Sequence, residues 1–236
     1  SYFRLQTAGT YLAAFHPSAF ALIDPTAYHD QYLGTRHLKE ELDERFPDSH
    51  SFLYRGNVFL FLHKGYDETV LNELATEFGL KVIVSEPIHD LFALPSLYRS
   101  AHDALNLIAE SSYHGENVCS VAKLRTPLLL KNLEPQSDLI SPELCTLAEH
   151  DRKKGTQYCE TLYFYLICNR SLKKTCDALF THRNTVLYRI LRIRDDFSIP
   201  LDDTSKHTEL LIGTAVLLFQ DKGTDFFLRS LPQDEI

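Results

Sequence analysis

The run from residue 171 to residue 196, SLKKTCDALFTHRNTVLYRILRIRDD, decides how the second half of this chain is built. Leu172, Cys176 and Leu179 recur on one side of a short helix, with Lys173 and Asp177 opposite and Ser171 suited to cap its start. Phe180, Thr181 and His182 form a brief interruption, and a second helix is expected from Arg183 to about Asp196. At about 100° per residue, Val186, Ile190 and Ile193 fall within about 60° of one another and make an apolar stripe. The opposite face carries Asn184, Tyr188 and Arg192, flanked by Thr185, Arg189 and Leu191. A helix buried on one side, with a polar and cationic face on the other, is the requirement for a recognition helix in a major groove.

Charge distribution points the same way. The whole chain of 236 residues has a formal charge of −8, which taken alone argues against a nucleic-acid partner. Residues 152–194, however, hold ten Lys and Arg against only Glu160 and Asp177, giving +8 and leaving −16 on the remainder. Such asymmetry is an electrostatic footprint for a polyanion. It also fits a solvated helical face, and the helical periodicity is what favours the polyanion. The helix start meets base edges in this motif, so Arg183, Asn184, Thr185 and Tyr188 are the expected base readers. Arg can donate twice to guanine, and Asn can pair with adenine through two hydrogen bonds. Lys173, Lys174, Arg189 and Arg192 are expected on phosphates. Thr181 or His182 is expected to cap the second helix, with His182 also offering a phosphate donor.

These residues resemble a known family. The segments ETLYFYL (160–166), NRSLKKTC (169–176) and LFTHRNTVLYRI (179–190), followed by Arg192–Ile193 and Leu201–Asp202–Asp203, look like the C-terminal helix-turn-helix of PucR/CdaR-type bacterial transcriptional regulators. The resemblance spans roughly residues 141–219. It implies binding to double-stranded promoter or operator DNA, usually as a homodimer, below a separate effector-sensing domain outside this chain. Cys176 stands where the family commonly has Ala. Leu187 and Leu191 stand where it often has polar or basic residues, and they leave open a third use, as an apolar patch for a partner helix.

Upstream, residues 1–125 alternate strand-like and helix-like stretches. A strand is expected within residues 11–23 and a helix over 29–46, ended by Pro47. Two apolar runs, 51–55 and 58–62, flank Gly56–Asn57 and predict a tight hairpin. A helix over 67–78 with Asp67 as N-cap, a buried strand over 81–85 and an amphipathic helix over 94–108 follow. This order, β-α-β-β-α-β-α, suggests a split-βαβ, ferredoxin-like sheet. The region resembles, more weakly, the degenerate GGDEF-like domain that precedes the helix-turn-helix in these regulators. The expected class is therefore α+β: a ferredoxin-like, GGDEF-like domain over 1–130, a Pro- and Ser-containing linker over 131–142, and an all-α domain over 143–236.

Enzymatic readings find little support. Active diguanylate cyclases carry acidic residues just after the hairpin glycines, where this chain has Asn57 and Val58. Neither supplies a hard anionic ligand for Mg²⁺. No paired-histidine metal motif, phosphate-cradling glycine loop or nucleophile elbow occurs, and His63, His89 and His102 read as surface or packing residues. The expectation is a non-enzymatic chain without cofactor or metal, although residual nucleotide binding or cyclase-type activity in the first domain stays open as an alternative. No run approaches the roughly 20 apolar residues of a membrane helix. Five cysteines without a Cys-x-x-Cys pair suggest reduced thiols in the cytoplasm. The chain opens at Ser1 and contains no Met, as expected of a fragment, or of a chain from which modified methionines have been left out.

Overall fold

The hairpin expected around Gly56 forms one edge of a five-stranded sheet. Strands β2 (His50–Tyr54) and β3 (Asn57–Leu62) pair antiparallel with Tyr54 opposite Asn57. The two turn residues are thus Arg55 and Gly56, at φ of 51° and 88°. Positive φ at both positions is the turn whose twist matches the strands it joins. The turn lies one residue earlier than the sequence suggests, because Asn57 joins the ladder. The structure, a computed structural model, describes residues 17–26, 28, 34–110 and 113–228. The first part of the strand expected over 11–23 and of the helix expected over 29–46 lies outside the described residues.

The sheet order is β2-β3-β1-β4-β5, with β1 at Ala19–Asp24, β4 at Lys81–Val84 and β5 at Val118–Ser120. The first four strands pair antiparallel throughout, which is the split-βαβ order expected of a ferredoxin-like sheet. The fifth strand pairs parallel with β4 and was not anticipated, since three residues give no alternating pattern to detect.

Alternation along the strands divides the sheet into two faces. Ala21, Ile23, Val58, Leu60 and Val82 face one side, where they pack with Leu38 and Leu42 of α1 (Gly34–Arg45) and Leu71 and Leu74 of α2 (Glu68–Glu77). Asp67 caps α2 by accepting from the Thr69 amide at 2.8 Å, and Gly79 follows its end at φ 66°. Helix α3 (Leu94–Ala109) packs on β1 and β4, burying Ala101, Ala104, Leu105 and Ile108. Its Pro95 occupies the first turn, where a missing amide proton costs no helical bond.

The chain divides into two compact units, residues 1–128 and 129–236. Residues 131–142, expected as a connection without regular structure, are largely helical. They comprise the end of α4 (Arg125–Leu133), a 3₁₀ turn at Glu134–Leu139 and the start of α5 (Pro142–Lys154). Pro135 and Pro142 mark helix starts here, not breaks, since each lies in a first turn. The second unit continues with α6 (Tyr158–Ile167), α7 (Leu172–Leu179), α8 (Arg183–Phe197), a 3₁₀ turn and α9 (His207–Phe227). Leu144, Leu147, Leu162, Leu166, Val186, Ile190, Ile193, Leu210 and Leu217 form its core. Gly213 lets α9 approach closely, because a Cβ there would come within 2.9 Å of Leu144 Cδ1. Among the described residues, no helix is long and apolar enough to cross a membrane.

Candidate nucleic-acid interface

The helix-turn-helix rests on a hydrogen-bonded support. Asp151, near the end of α5, accepts from the backbone amides of Tyr158 at 3.0 Å and Cys159 at 2.7 Å, and from the Thr156 hydroxyl. One carboxylate thereby satisfies two otherwise unpaired donors at the start of α6, where negative charge also complements the helix dipole. Gly155, left-handed at φ 65°, makes the reversal that brings Asp151 there. His150 stacks on Tyr158 at 5.5 Å and meets Phe197 edge-on at 5.2 Å, tying α5 and α6 to the far end of α8.

Helix α7 starts where the sequence predicts. Ser171 accepts from the Lys174 amide at 3.4 Å, and the fully buried Thr175 donates to the Ser171 carbonyl at 2.8 Å. Leu172, Cys176 and Leu179 pack against the core, while Lys173, Lys174 and Asp177 are exposed. The helix ends at Phe180, which adopts a left-handed backbone at φ 50° and is 92% exposed. Neither expected cap of α8 operates. Thr181 donates backward to the Leu179 carbonyl at 2.9 Å, and the N-cap residue His182 makes no side-chain cap bond. A helix start without a side-chain cap suits an anion, since amides and dipole both present positive potential there.

The outward face of α8 divides the predicted residues into groups. Val186, Ile190 and Ile193 are buried as expected, and Arg183, Asn184, Thr185 and Tyr188 are all exposed. Asn184, Thr185 and Tyr188 lie within about 100° of one another on the solvent face, whereas Arg183 stands about 20° from Ile190 and is exposed because it opens the helix. Arg192 is exposed but paired, at 2.9 Å from Asp196 one turn on, and its guanidinium stands 5.7 Å from the Tyr188 ring centre. Arg194 likewise donates to Asp195 at 2.7 Å, which holds that carboxyl below the usual range. The basic segment is therefore followed at once by two acids that answer two of its arginines.

Arg189 departs from the arrangement read in the sequence. Its guanidinium donates to Thr161 Oγ1 at 3.2 Å and to Gln157 Oε1 at 2.9 Å, so it braces α8 against the start of α6. The wheel itself contains the signal, since Arg189 stands about 40° from Ile193 and about 60° from Val186. Sequence reasoning also passed over Arg170, left-handed at φ 61°, which donates to the Asp203 carbonyl at 3.3 Å and links the α6–α7 turn to the segment before α9. Leu187 and Leu191 are 38% and 39% exposed beside the polar face, leaving an apolar strip on the same helix.

In the first unit, the hairpin offers no carboxylate where cyclase chemistry needs one. Arg55 and Gly56 occupy the turn, and the Val58 side chain is fully buried. Among the described residues, no group of three His, Cys, Asp or Glu side chains could hold a metal ion.

Comparison with known proteins agrees with the geometry of the second unit. Residues 158–216 match the PucR C-terminal helix-turn-helix domain. That match covers α6, α7, α8 and the first half of α9. The proline-responsive transcriptional activator PutR of Bacillus subtilis (strain 168) is 27% identical over 223 residues, covering 85% of this chain and 54% of PutR. The chain thus spans about half the length of the curated relative it matches. A solved structure, the regulator of polyketide synthase expression from Bifidobacterium adolescentis, is 14% identical with a TM-score of 0.36, covering 89% of this chain and 88% of that one.

Proposed function

We propose that this chain is part of a sequence-specific, DNA-binding transcriptional regulator that docks α8 in the major groove. The observation that carries the reading is the exposed polar start of α8, with Arg183 exposed at its first residue, Asn184, Thr185 and Tyr188 outward and Val186, Ile190 and Ile193 inward, inside a PucR-type helix-turn-helix. Arg183, Asn184, Thr185 and Tyr188 read base edges in this proposal, and Lys173, Lys174, His182 and Arg192 meet phosphates. Arg189 acts as a positioning residue that fixes the pitch of α8 on α6. Two protomers engage repeated half-sites in cytoplasmic bacterial promoter DNA, and a domain outside this chain senses the effector. The first unit serves as a GGDEF-like domain without catalysis.

Selection from a random-site duplex library tests binding and specificity together. An enriched motif with two related half-sites, bound more weakly as salt rises, is the expected outcome. No enrichment at low salt would remove DNA as the partner and favour the apolar strip of Leu187 and Leu191 as a protein contact. Incubation with GTP and Mg²⁺ tests the first unit, and cyclic product would overturn its non-catalytic reading.

A further inference from the structure

The first unit holds a cavity that the helix-turn-helix does not involve. Helix α3 packs on β1 and β4, and the same face of β2 and β3 is left as the floor of a pocket of about 540 Å³. Its floor is aromatic. Phe59 stacks on Phe20 at 4.2 Å and on Phe52 at 4.9 Å, both pairs within 23° of parallel. Its wall is Tyr98 of α3, edge-on to Tyr54 at 5.0 Å and 81°. Volumes of several hundred Å³, apolar lining and a few polar groups are the properties of small-molecule sites.

The polar groups are of one sign. Arg55 from the hairpin turn and Arg99 from α3 line the pocket together with His102, and no carboxylate lines it, although residues 1–128 hold 16 acids against ten bases. Arg55 lies over the Tyr54 ring at 5.5 Å, which draws its charge to the pocket edge, and Arg99 makes no ion pair among the described residues. The Tyr98 hydroxyl is buried and has no hydrogen-bond partner. The hydroxyl is closed off from the pocket by protein atoms, so Tyr98 offers a ligand the face and edge of its ring and leaves the polar contacts to Arg55, Arg99 and His102.

We infer that this pocket binds a small planar aromatic anion, with the ring against Phe52, Phe59 and Tyr98 and the anionic group forked by Arg55 and Arg99. Stacking on aromatic faces selects a flat ring, and guanidinium forks select a carboxylate or phosphate. An aromatic carboxylate and a nucleoside monophosphate share that chemistry. The inference stands on the first unit alone and does not depend on DNA binding.

Isothermal titration of the full chain tests it with 4-hydroxybenzoate, indole-3-acetate and guanosine monophosphate, each beside an uncharged counterpart. Saturable binding of at least one anion, lost or weakened about tenfold or more in Arg99→Gln and Arg55→Gln, is expected, because charge-assisted hydrogen bonds carry that much. Both arginines are exposed, and unchanged circular dichroism would show that the variants fold. A carboxylate response names one source of the anion and a monophosphate response the other. Equal binding of neutral and anionic partners, or unchanged affinity in both variants, overturns the anionic site. No binding by any probe, with self-association that Phe52→Glu abolishes, overturns it in favour of a second copy on this face.

Discussion

Arg189 Nη2 donates to Gln157 Oε1 at 2.9 Å, joining the middle of α8 to the residue just before α6. The second donor of the same guanidinium reaches Thr161, which is itself fully buried and bonded to the Gln157 carbonyl at 2.7 Å. A side chain held this way fixes α8 against α6, and under the proposed docking it would orient that helix without itself meeting DNA. Arg189→Ala should therefore lower stability by roughly 1 kcal/mol for the lost bonds. It should weaken all DNA sequences alike, and leave the slope of log affinity against log salt unchanged. Lys173→Ala should instead flatten that slope by about 0.9, the contribution of one neutralised phosphate. Urea unfolding and salt-dependent fluorescence anisotropy distinguish the two; a flattened slope in Arg189→Ala would place its charge on the phosphates after all.

Arg192 and Asp196 form a second pair with a different consequence. At 2.9 Å, one turn apart on an exposed face, Asp196 raises the Arg192 pKa and competes for its charge. Releasing the arginine should strengthen operator binding. Asp196→Asn is expected to steepen the salt slope by up to about one unit in the wild-type background. In an Arg192→Ala background the same substitution should add little beyond the removal of one repelling carboxylate. Equal gains in both backgrounds would show that Asp196 acts only through repulsion, not by restraining Arg192.

Both pairs show which parts of the site the sequence made legible. The buried stripe of α8, the Ser171 cap and the Asp67 cap rest on local signals of three or four residues, and each is where periodicity and side-chain chemistry place it. The brace from Arg189 depends on Gln157 and Thr161, about thirty positions away, which no local pattern connects to it. Asp195 and Asp196 lie just past the basic segment, outside a charge count that ends at Arg194; the i,i+4 spacing makes the Arg192–Asp196 pair readable, whereas Arg194 and Asp195 are neighbours in sequence with no such spacing. β5 has only three residues, and its place comes from the parallel partner β4. Pro135 and Pro142 misled in the opposite direction, since proline is compatible with a helix start as well as with a loop.

The turn between α7 and α8 carries a conformational cost. Phe180 holds a left-handed backbone with its ring 92% exposed, so the strain is not repaid by burial. Glycine takes this helix-ending conformation without a Cβ penalty, although it also gains more freedom in the unfolded chain. Phe180→Gly should stabilise the chain by about 0.5–1 kcal/mol, measured by urea unfolding. Destabilisation instead would mean that the Phe180 ring holds a contact on which the turn depends.

The cysteines should differ sharply in reactivity. Burial pushes the Cys159 thiol far above its ordinary pKa, and the neighbouring Asp151 carboxylate pushes it the same way. Burial also raises Cys119, against the hydrogen bond with Tyr113. Cys145, Cys168 and Cys176 are half-buried. Because the thiolate is the reacting form, iodoacetamide at pH 8 should label these three first and reach Cys119 and Cys159 only after denaturation. Peptide mass spectrometry follows each site, and labelling of Cys159 at the rate of Cys176 in the native chain would contradict its packing.

Asn184 offers the sharpest test of how α8 reads DNA. It lies in the first turn, exposed, on the face opposite Val186, Ile190 and Ile193, where a carboxamide can both donate to and accept from an adenine edge. The preceding Arg183 is equally exposed but can serve either a guanine or a phosphate. Asn184→Ala should remove about 1–3 kcal/mol of discrimination at one base pair per half-site while leaving the salt slope intact, since no ionic contact is lost. Arg183→Ala should change the slope if it meets phosphate and relax one position if it meets a base. Random-site selection on each variant, scored position by position, separates these outcomes. An Asn184→Ala motif identical to the wild-type motif would remove Asn184 from base recognition, and would shift sequence reading toward Tyr188 and the thymine methyl contacts that Leu187 and Leu191 could make from the same face.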